Sequence, residues 1–177
     1  MGAANGMRPA LRVVEGAASQ ASEWSWFCGH CAAPAPGGHA PAPTARVCRS
    51  CGLGLLLEAR ADAIPSDREA FLVVDGSLLV QAMSRRAQAL LDVSEAGAVN
   101  RSVSELLSGA DAEAQPNRLA AAIADAAQWA GEPVTTFVRP WNTFGVRLRA
   151  RIAPCGPPRA ALLVLQSPQQ RQLRAVR

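Results

Sequence analysis

The 177-residue chain has no lysine and no tyrosine, and all 18 of its basic residues are arginine. Without lysine there is no Schiff-base chemistry, no lysine general base and no lysine of a phosphate-binding loop. Codon usage in a GC-rich genome accounts for this bias, and 36 alanines fit it. Aromatic residues make up only 5% of the chain, and His30 and His39 are the only histidines. No apolar run reaches the roughly 18 residues of a membrane-spanning helix, which excludes one. There is no glycine-rich phosphate loop, and the Asp and Glu residues are scattered rather than paired. No catalytic constellation emerges, so a non-enzymatic protein is expected.

The net charge of +4 is unevenly placed. Residues 1–64 carry five Arg against four acids, and residues 65–166 carry ten of each. The remaining Arg171, Arg174 and Arg177 form a basic tail over 168–177. A neutral main body speaks against nucleic acid, whose phosphates need a concentrated basic surface. Residues 1–22 lack a signal-peptide core and read as a flexible leader, so a cytoplasmic, reducing location is expected. In that compartment clustered cysteines hold metal more often than they form disulfides.

Cys28-Gly-His-Cys31 and Cys48-Arg-Ser-Cys51 make a C-x2-C-x16-C-x2-C pattern, within the spacing of a zinc site. Two residues between cysteines let one tight turn aim both sulfurs at one ion, and two such turns supply four thiolates in a tetrahedron. Glu23-Trp24-Ser25-Trp26-Phe27 is a β-prone run leading into the first turn. Leu53–Glu58 can pair back after the second. Between them lies the Pro/Gly/Ala-rich loop Ala32–Thr44. Residues 23–59 resemble a zinc ribbon. At about 37 residues the module lies below the roughly 40 at which a chain usually needs metal or disulfides to fold. One structural zinc on Cys28, Cys31, Cys48 and Cys51 is therefore expected, closed to water and not catalytic. Two disulfides conflict with the compartment, and a redox pair explains one C-x-x-C but not two. Iron of the rubredoxin type stays open on ligand type alone. His30 reads as a solvent-facing turn residue and His39 as an ordinary loop residue.

After a linker at 60–65 the texture changes. Phe71–Val74, Asp75-Gly76 and Leu78–Val80 read as a β-hairpin. Ser84 caps a short helix with Ala87, Leu90 and Leu91 on one face. Ser102-x-x-Glu105 before Leu106-Leu107 is a capping box for another. Pro116–Trp129 is the clearest helix, with Gly131 just beyond its end. Three strands follow: Val134–Val138, Phe144–Ile152 and Ala160–Gln166, with turns at Arg139–Asn142 and Pro154–Pro158. Along Phe144–Ile152 the pattern alternates, Val146, Leu148, Ala150 and Ile152 against Arg147, Arg149 and Arg151. The order predicts an α+β fold, an antiparallel sheet with helices on one face.

Ala70–Gly76, Ser84–Leu91, Asn100–Leu107, the long helix and the three strands together resemble a PAS domain over residues 66–167. The resemblance implies a five-stranded antiparallel sheet, a sensor or protein-interaction role, and a pocket between helices and sheet. Residues 65–177 contain no histidine, which speaks against histidine-ligated haem. Cys155, in a Pro-rich turn, stands far from the position of a covalent flavin adduct and reads as an incidental thiol. The ligand is unknown. A non-covalent flavin or small metabolite stays open, with Trp129 and Trp141 as stacking candidates; the plainer reading makes them core or interface anchors. The Arg147/Arg149/Arg151 stripe is either a solvated outer face or a docking face for a protein partner or a second copy. The leading expectation is a signalling or regulatory protein that joins a structural zinc ribbon to a PAS-like sensor or interaction domain. The alternative is a nucleic-acid or transcription-machinery binder using the ribbon and the Arg-rich surface. A third reading is a redox sensor that releases zinc when its thiolates oxidise.

Overall fold

The structure, a computed structural model, describes residues 24–129, 132–141, 143 and 145–166. The expected leader 1–22, the tail 168–177 and Gly131 lie outside these. Eight strands and three helices follow in chain order. They are β1 Trp24–Cys28, β2 Leu56–Arg60, β3 Ala70–Asp75, β4 Val80–Met83, α1 Arg85–Leu91, α2 Glu95–Ala98, β5 Leu107–Gly109, α3 Arg118–Ala127, β6 Val134–Pro140, β7 Leu148–Gly156 and β8 Ala160–Gln166.

Local chemistry explains the element ends. Asp75 Oδ1 accepts from the N–H groups of Ser77 and Leu79, at 2.8 and 3.0 Å, and so closes the β3–β4 hairpin. Ser84 Oγ accepts from Ala87 N at 3.2 Å, the N-cap bond of α1, and also from Phe71 N at 2.9 Å. One hydroxyl thus starts a helix and satisfies a buried strand amide. Trp129, at φ 59°, ends the turn that follows α3, two residues beyond the helix.

All eight strands pair antiparallel in one sheet. Strand order runs β4-β3-β8-β7, and the far edge of β7 is then shared. Its first half, Leu148–Ile152, pairs with β6, which carries β5 beyond it. Its last two residues, Cys155 and Gly156, pair with β2, which carries β1. The expected α+β order is present, but the expected five-stranded sheet behind a separate ribbon is not. The ribbon hairpin is built into the same sheet, because β7 runs on to Gly156 and offers it an edge.

Two local readings are corrected, and one element goes unread. Leu106-Leu107 does not continue a helix: a single 3-10 turn at Val103–Glu105 gives way to β5. Pro154 and Cys155 are strand, not turn. Pro154 falls between the β6 partners, which end at Ile152, and the β2 partners, which begin at Cys155, so its missing N–H breaks no ladder on that edge. The four-residue helix α2, capped by Ser94, has no counterpart in the sequence reading.

The strands' period of two divides the core. One face of the sheet, with Leu72, Val74, Ile152, Leu163 and Leu165, packs against the helices through Ile123, Ala126 and Leu91. The other face presents Phe71, Val73, Cys155, Leu162 and Val164, and the ribbon covers them with Phe27, Leu57 and Ala59. The sheet is apolar on both faces because both faces are covered.

Two consequences are measurable. Replacing Ser84 with Ala removes the cap and strands the Phe71 amide, so the urea midpoint should fall by the equivalent of about 1–3 kcal/mol with an unchanged slope. Glu69 accepts from Ser66 N, Ser66 Oγ and Gln166 Nε2 at 2.9, 3.0 and 2.8 Å. Burial raises its carboxyl, but these bonds and nearby Arg151 outweigh burial and hold it below the ordinary value. A depressed folded value means the stabilisation is present above the ordinary value of 4.5 and is lost as pH falls through the lower one. Glu69→Gln should flatten that acid limb of the stability–pH curve, and an unchanged limb would refute the assignment.

Candidate metal centre

The four cysteines meet. Cys28 closes β1, Cys31 follows in the first turn, and Cys48 and Cys51 flank the second. Their sulfurs all lie within 4.8 Å of one another. Cys28 Sγ and Cys51 Sγ are 3.7 Å apart, and Cys31 Sγ and Cys48 Sγ 3.9 Å. A disulfide needs about 2.05 Å, so these are thiols. A tetrahedron with metal–sulfur bonds of about 2.3 Å has edges of about 3.8 Å. The spacing and the donor set therefore fit one tetrahedral ion.

The turns that aim the sulfurs mirror each other. Ala32 N donates to Cys28 O at 3.0 Å, and Gly52 N to Cys48 O at 2.8 Å. The residue after the second cysteine of each turn, Ala32 or Gly52, adopts positive φ, 62° and 70°. Backbone N–H groups point at sulfur: His30 N and Cys31 N at Cys28 Sγ, 3.4 and 3.5 Å, and Gly54 N at Cys51 Sγ, 3.5 Å. Such donors stabilise thiolates over thiols.

Cys28, Cys31 and Cys51 are unequal. Burial pushes Cys28 strongly up, against the N–H groups of Cys31 and His30. Burial also raises Cys31. At Cys51 burial raises the thiol too, but the Gly54 and Leu53 N–H groups and the Cys28 and Cys31 thiols outweigh it and bring it down to about 6. Around the sulfurs lie Trp26, Ala35 and Leu56. Cys28 and Cys48 are themselves members of this small core, so the module's interior is largely its own ligand set.

His30 corrects the expectation of a solvent-facing residue. It is 7% exposed, and its Nδ1 lies 2.8 Å from Glu95 Oε2 at the start of α2. The approach is close but off the alignment of a strong N–H···O bond. Glu95 Oε1 in turn accepts from Met83 N at 2.9 Å. The first cysteine turn is thereby tied to the helical side of the molecule. His39 is exposed, as expected.

The two tryptophans differ. Trp129 stacks on Trp24 with ring centroids 5.0 Å apart and planes 6° from parallel, and its Nε1 donates to Cys155 O at 3.2 Å. It anchors ribbon to body. Trp141 is 71% exposed beside a shallow depression of about 390 Å³ lined by Ser108, Arg139, Pro140, Thr143 and Gly145. The implied pocket between helices and sheet is filled by apolar side chains, Met83, Leu107, Ile123 and Leu148 among them. Among the described residues the buried polar side chains are His30 and Ser84, and neither faces that space as a ligand contact.

The arginine stripe is not merely solvated. Arg147 pairs with Asp111 at 2.9 Å and lies 4.8 Å above the Phe137 ring. Arg151 donates to the carbonyls of Asp62 and Ala63 at 2.8 and 3.1 Å, which holds the linker down. Sequence reasoning missed Arg46. Its guanidinium donates to the carbonyls of Leu56, at 3.1 Å, and Pro157, and joins the second cysteine turn's approach to the β7–β8 turn. Nothing in the local sequence marks Arg46 or Glu95, since their partners lie far along the chain.

The molecule is thus an α+β protein with a cluster of four cysteines, spaced closely enough to hold one metal ion, on its sheet edge. No protein-family model and no curated protein matches the chain. Among solved structures it is similar to the PAS domain of nitrogen regulation protein NR(II) from Vibrio parahaemolyticus, at 19% identity over 56% of this chain and 88% of that one, with a TM-score of 0.41. It is also similar to the PAS domain of a protein from Colwellia psychrerythraea, at 13% identity over 58% and 87%, TM-score 0.44. A third match is the E. coli DhaR(N)–DhaL complex, at 16% identity over 56% and 31%, TM-score 0.38. Among the described residues no helix is long and apolar enough to cross a membrane.

Gly54 tests the site without replacing a ligand. A Cβ there would fall on Cys28 Sγ and 2.7 Å from His30 Cβ. Gly54→Ala should therefore reduce bound metal per chain well below that of the parent protein, measured by elemental analysis. Full metal content in the variant would show that the turn is looser than described.

Proposed function

We propose that this chain is a non-enzymatic regulatory protein in which a structural zinc ribbon, held by Cys28, Cys31, Cys48 and Cys51, is joined to a PAS-like interaction domain spanning 66–167. The observation that carries the reading is the tetrahedral spacing of four thiols on a hairpin whose opposite face packs on the sheet. Four protein ligands leave no open position for water, so the ion supplies folding energy rather than chemistry. The strand order around β4-β3-β8-β7-β6 and the helices gathered on one face support the PAS-like assignment. The apolar filling beneath the helices favours a protein partner over a buried small molecule as the domain's counterpart. Thiolates of this kind persist in a reducing compartment, which fits a cytoplasmic location.

The nucleic-acid reading draws less support. Arg147 and Arg151 are already engaged within the chain, and a phosphate would have to displace those partners.

Native mass spectrometry of the full chain purified from its own host tests the proposal. One zinc per chain is expected, with the zinc lost in Cys48→Ser. Iron, two zinc ions or none would overturn it.

A further inference from the structure

Strands β1 and β2 have two working faces. Trp26, Cys28 and Leu56 point into the metal core. Phe27, Leu57 and Ala59, their alternating neighbours, cover the sheet. Phe27 meets Phe71 edge-on, with centroids 6.3 Å apart and planes 70° apart. Beneath this cover lies Cys155, fully buried, its thiol pushed up to about 12 by burial.

The cover's attachment to the sheet is slight in backbone terms. Only Glu58 and Ala59 pair with β7, whereas β1 and β2 pair with each other over five positions. An isolated two-stranded hairpin is marginal in water. Between the strands, residues 29–55 carry a few backbone bonds, such as Ala35 N to Trp26 O and Leu56 N to Arg46 O, and the Arg46 tie to Pro157. The rest of their order comes from the two cysteine turns and their N–H···S contacts, which depend on thiolates gathered around a cation.

From this we infer that the ribbon is a metal-locked cover: with metal bound it shields the outer face of β3 and β8, and without metal that face and Cys155 open to solvent while the helix-backed side of the sheet stays folded. The inference rests on the metal reading above. It makes metal occupancy, rather than a pocket ligand, the variable that sets which surface the domain presents. Ties at the rim, Trp24 on Trp129, His30 against Glu95 and Arg46 on the Pro157 carbonyl, are single contacts that place the hairpin, whereas the metal would gather four points of the loop at once.

The test is pulse alkylation of the full chain at constant pH, with and without a zinc chelator, read at each cysteine by peptide mass spectrometry. Amide exchange of β3 and β8 and native mass spectra of the untreated protein run in parallel. Chelation should speed alkylation of Cys155 by roughly a hundredfold while β3 and β8 amides keep their protection. Cys48→Ser should show the fast Cys155 rate without chelator. If the four ribbon cysteines react after chelation and Cys155 does not, the cover holds without metal and the inference fails. If Cys155 opens together with loss of β3 and β8 protection, the metal holds the whole fold and there is no separable cover. An untreated protein without metal would show in the native spectrum, and that result removes the metal reading and the lock with it.

Discussion

The fold turns on one constraint: alternate residues of a hairpin of two five-residue strands must serve the cysteine cluster on one side and a hydrophobic interface on the other. Shifting the β1–β2 register by one residue would exchange the two sets and bury cysteines against Phe71 while turning Phe27 toward the ion. Register is therefore fixed twice, by the thiolates and by the sheet. The energetic weights differ. Burying Phe27 and Leu57 contributes about 2–3 kcal/mol each. A structural zinc in a module of this size contributes on the order of 10–16 kcal/mol at neutral pH. A bound ion would thus be the larger contribution, with the apolar face deciding where the hairpin sits.

The electrostatics of the cluster follow from the same geometry. Sulfurs at 3.7 and 3.9 Å cannot all be anionic without a cation between them. The N–H groups on Cys51 favour its thiolate near neutral pH, while burial holds Cys28 protonated in the metal-free chain. Metal binding from this arrangement releases protons, so affinity weakens as pH falls.

Much of this was legible in sequence where the chemistry is local. The two C-x2-C turns announce their own geometry, and Ser84 before Arg85 marks a cap because the cap bond spans three residues. The β3–β4 hairpin and β8 were readable from Asp75-Gly76 and the run Ala160–Gln166. What failed depends on distant partners. Pro154 and Cys155 read as turn because nothing nearby shows that β2, about 100 residues earlier in the chain, supplies an edge there. His30 read as exposed because Glu95 lies 65 residues along the chain from it. Leu107 read as helix because its strand partner, Pro140, belongs to β6. The ribbon and the sheet were each legible; their fusion was not, since no period or spacing encodes which apolar face meets which.

That fusion changes how the arginine stripe should be understood. On a bare sheet, Arg147, Arg149 and Arg151 would form one cationic surface available to an acidic partner. In the folded chain Arg151 is used to hold the linker at Asp62 and Ala63, and Arg147 is answered by Asp111 and the Phe137 ring. The linker is what lets a hairpin on one edge of β7 lead into β3 on the far side of β8, crossing the outer face to do so. Two carbonyl bonds from a guanidinium suit that task, because a linker carbonyl facing a sheet otherwise lacks a donor. Arg151 thus belongs first to the architecture that keeps the cover in place, and the outer face it flanks becomes a binding surface only to the extent that the cover leaves it.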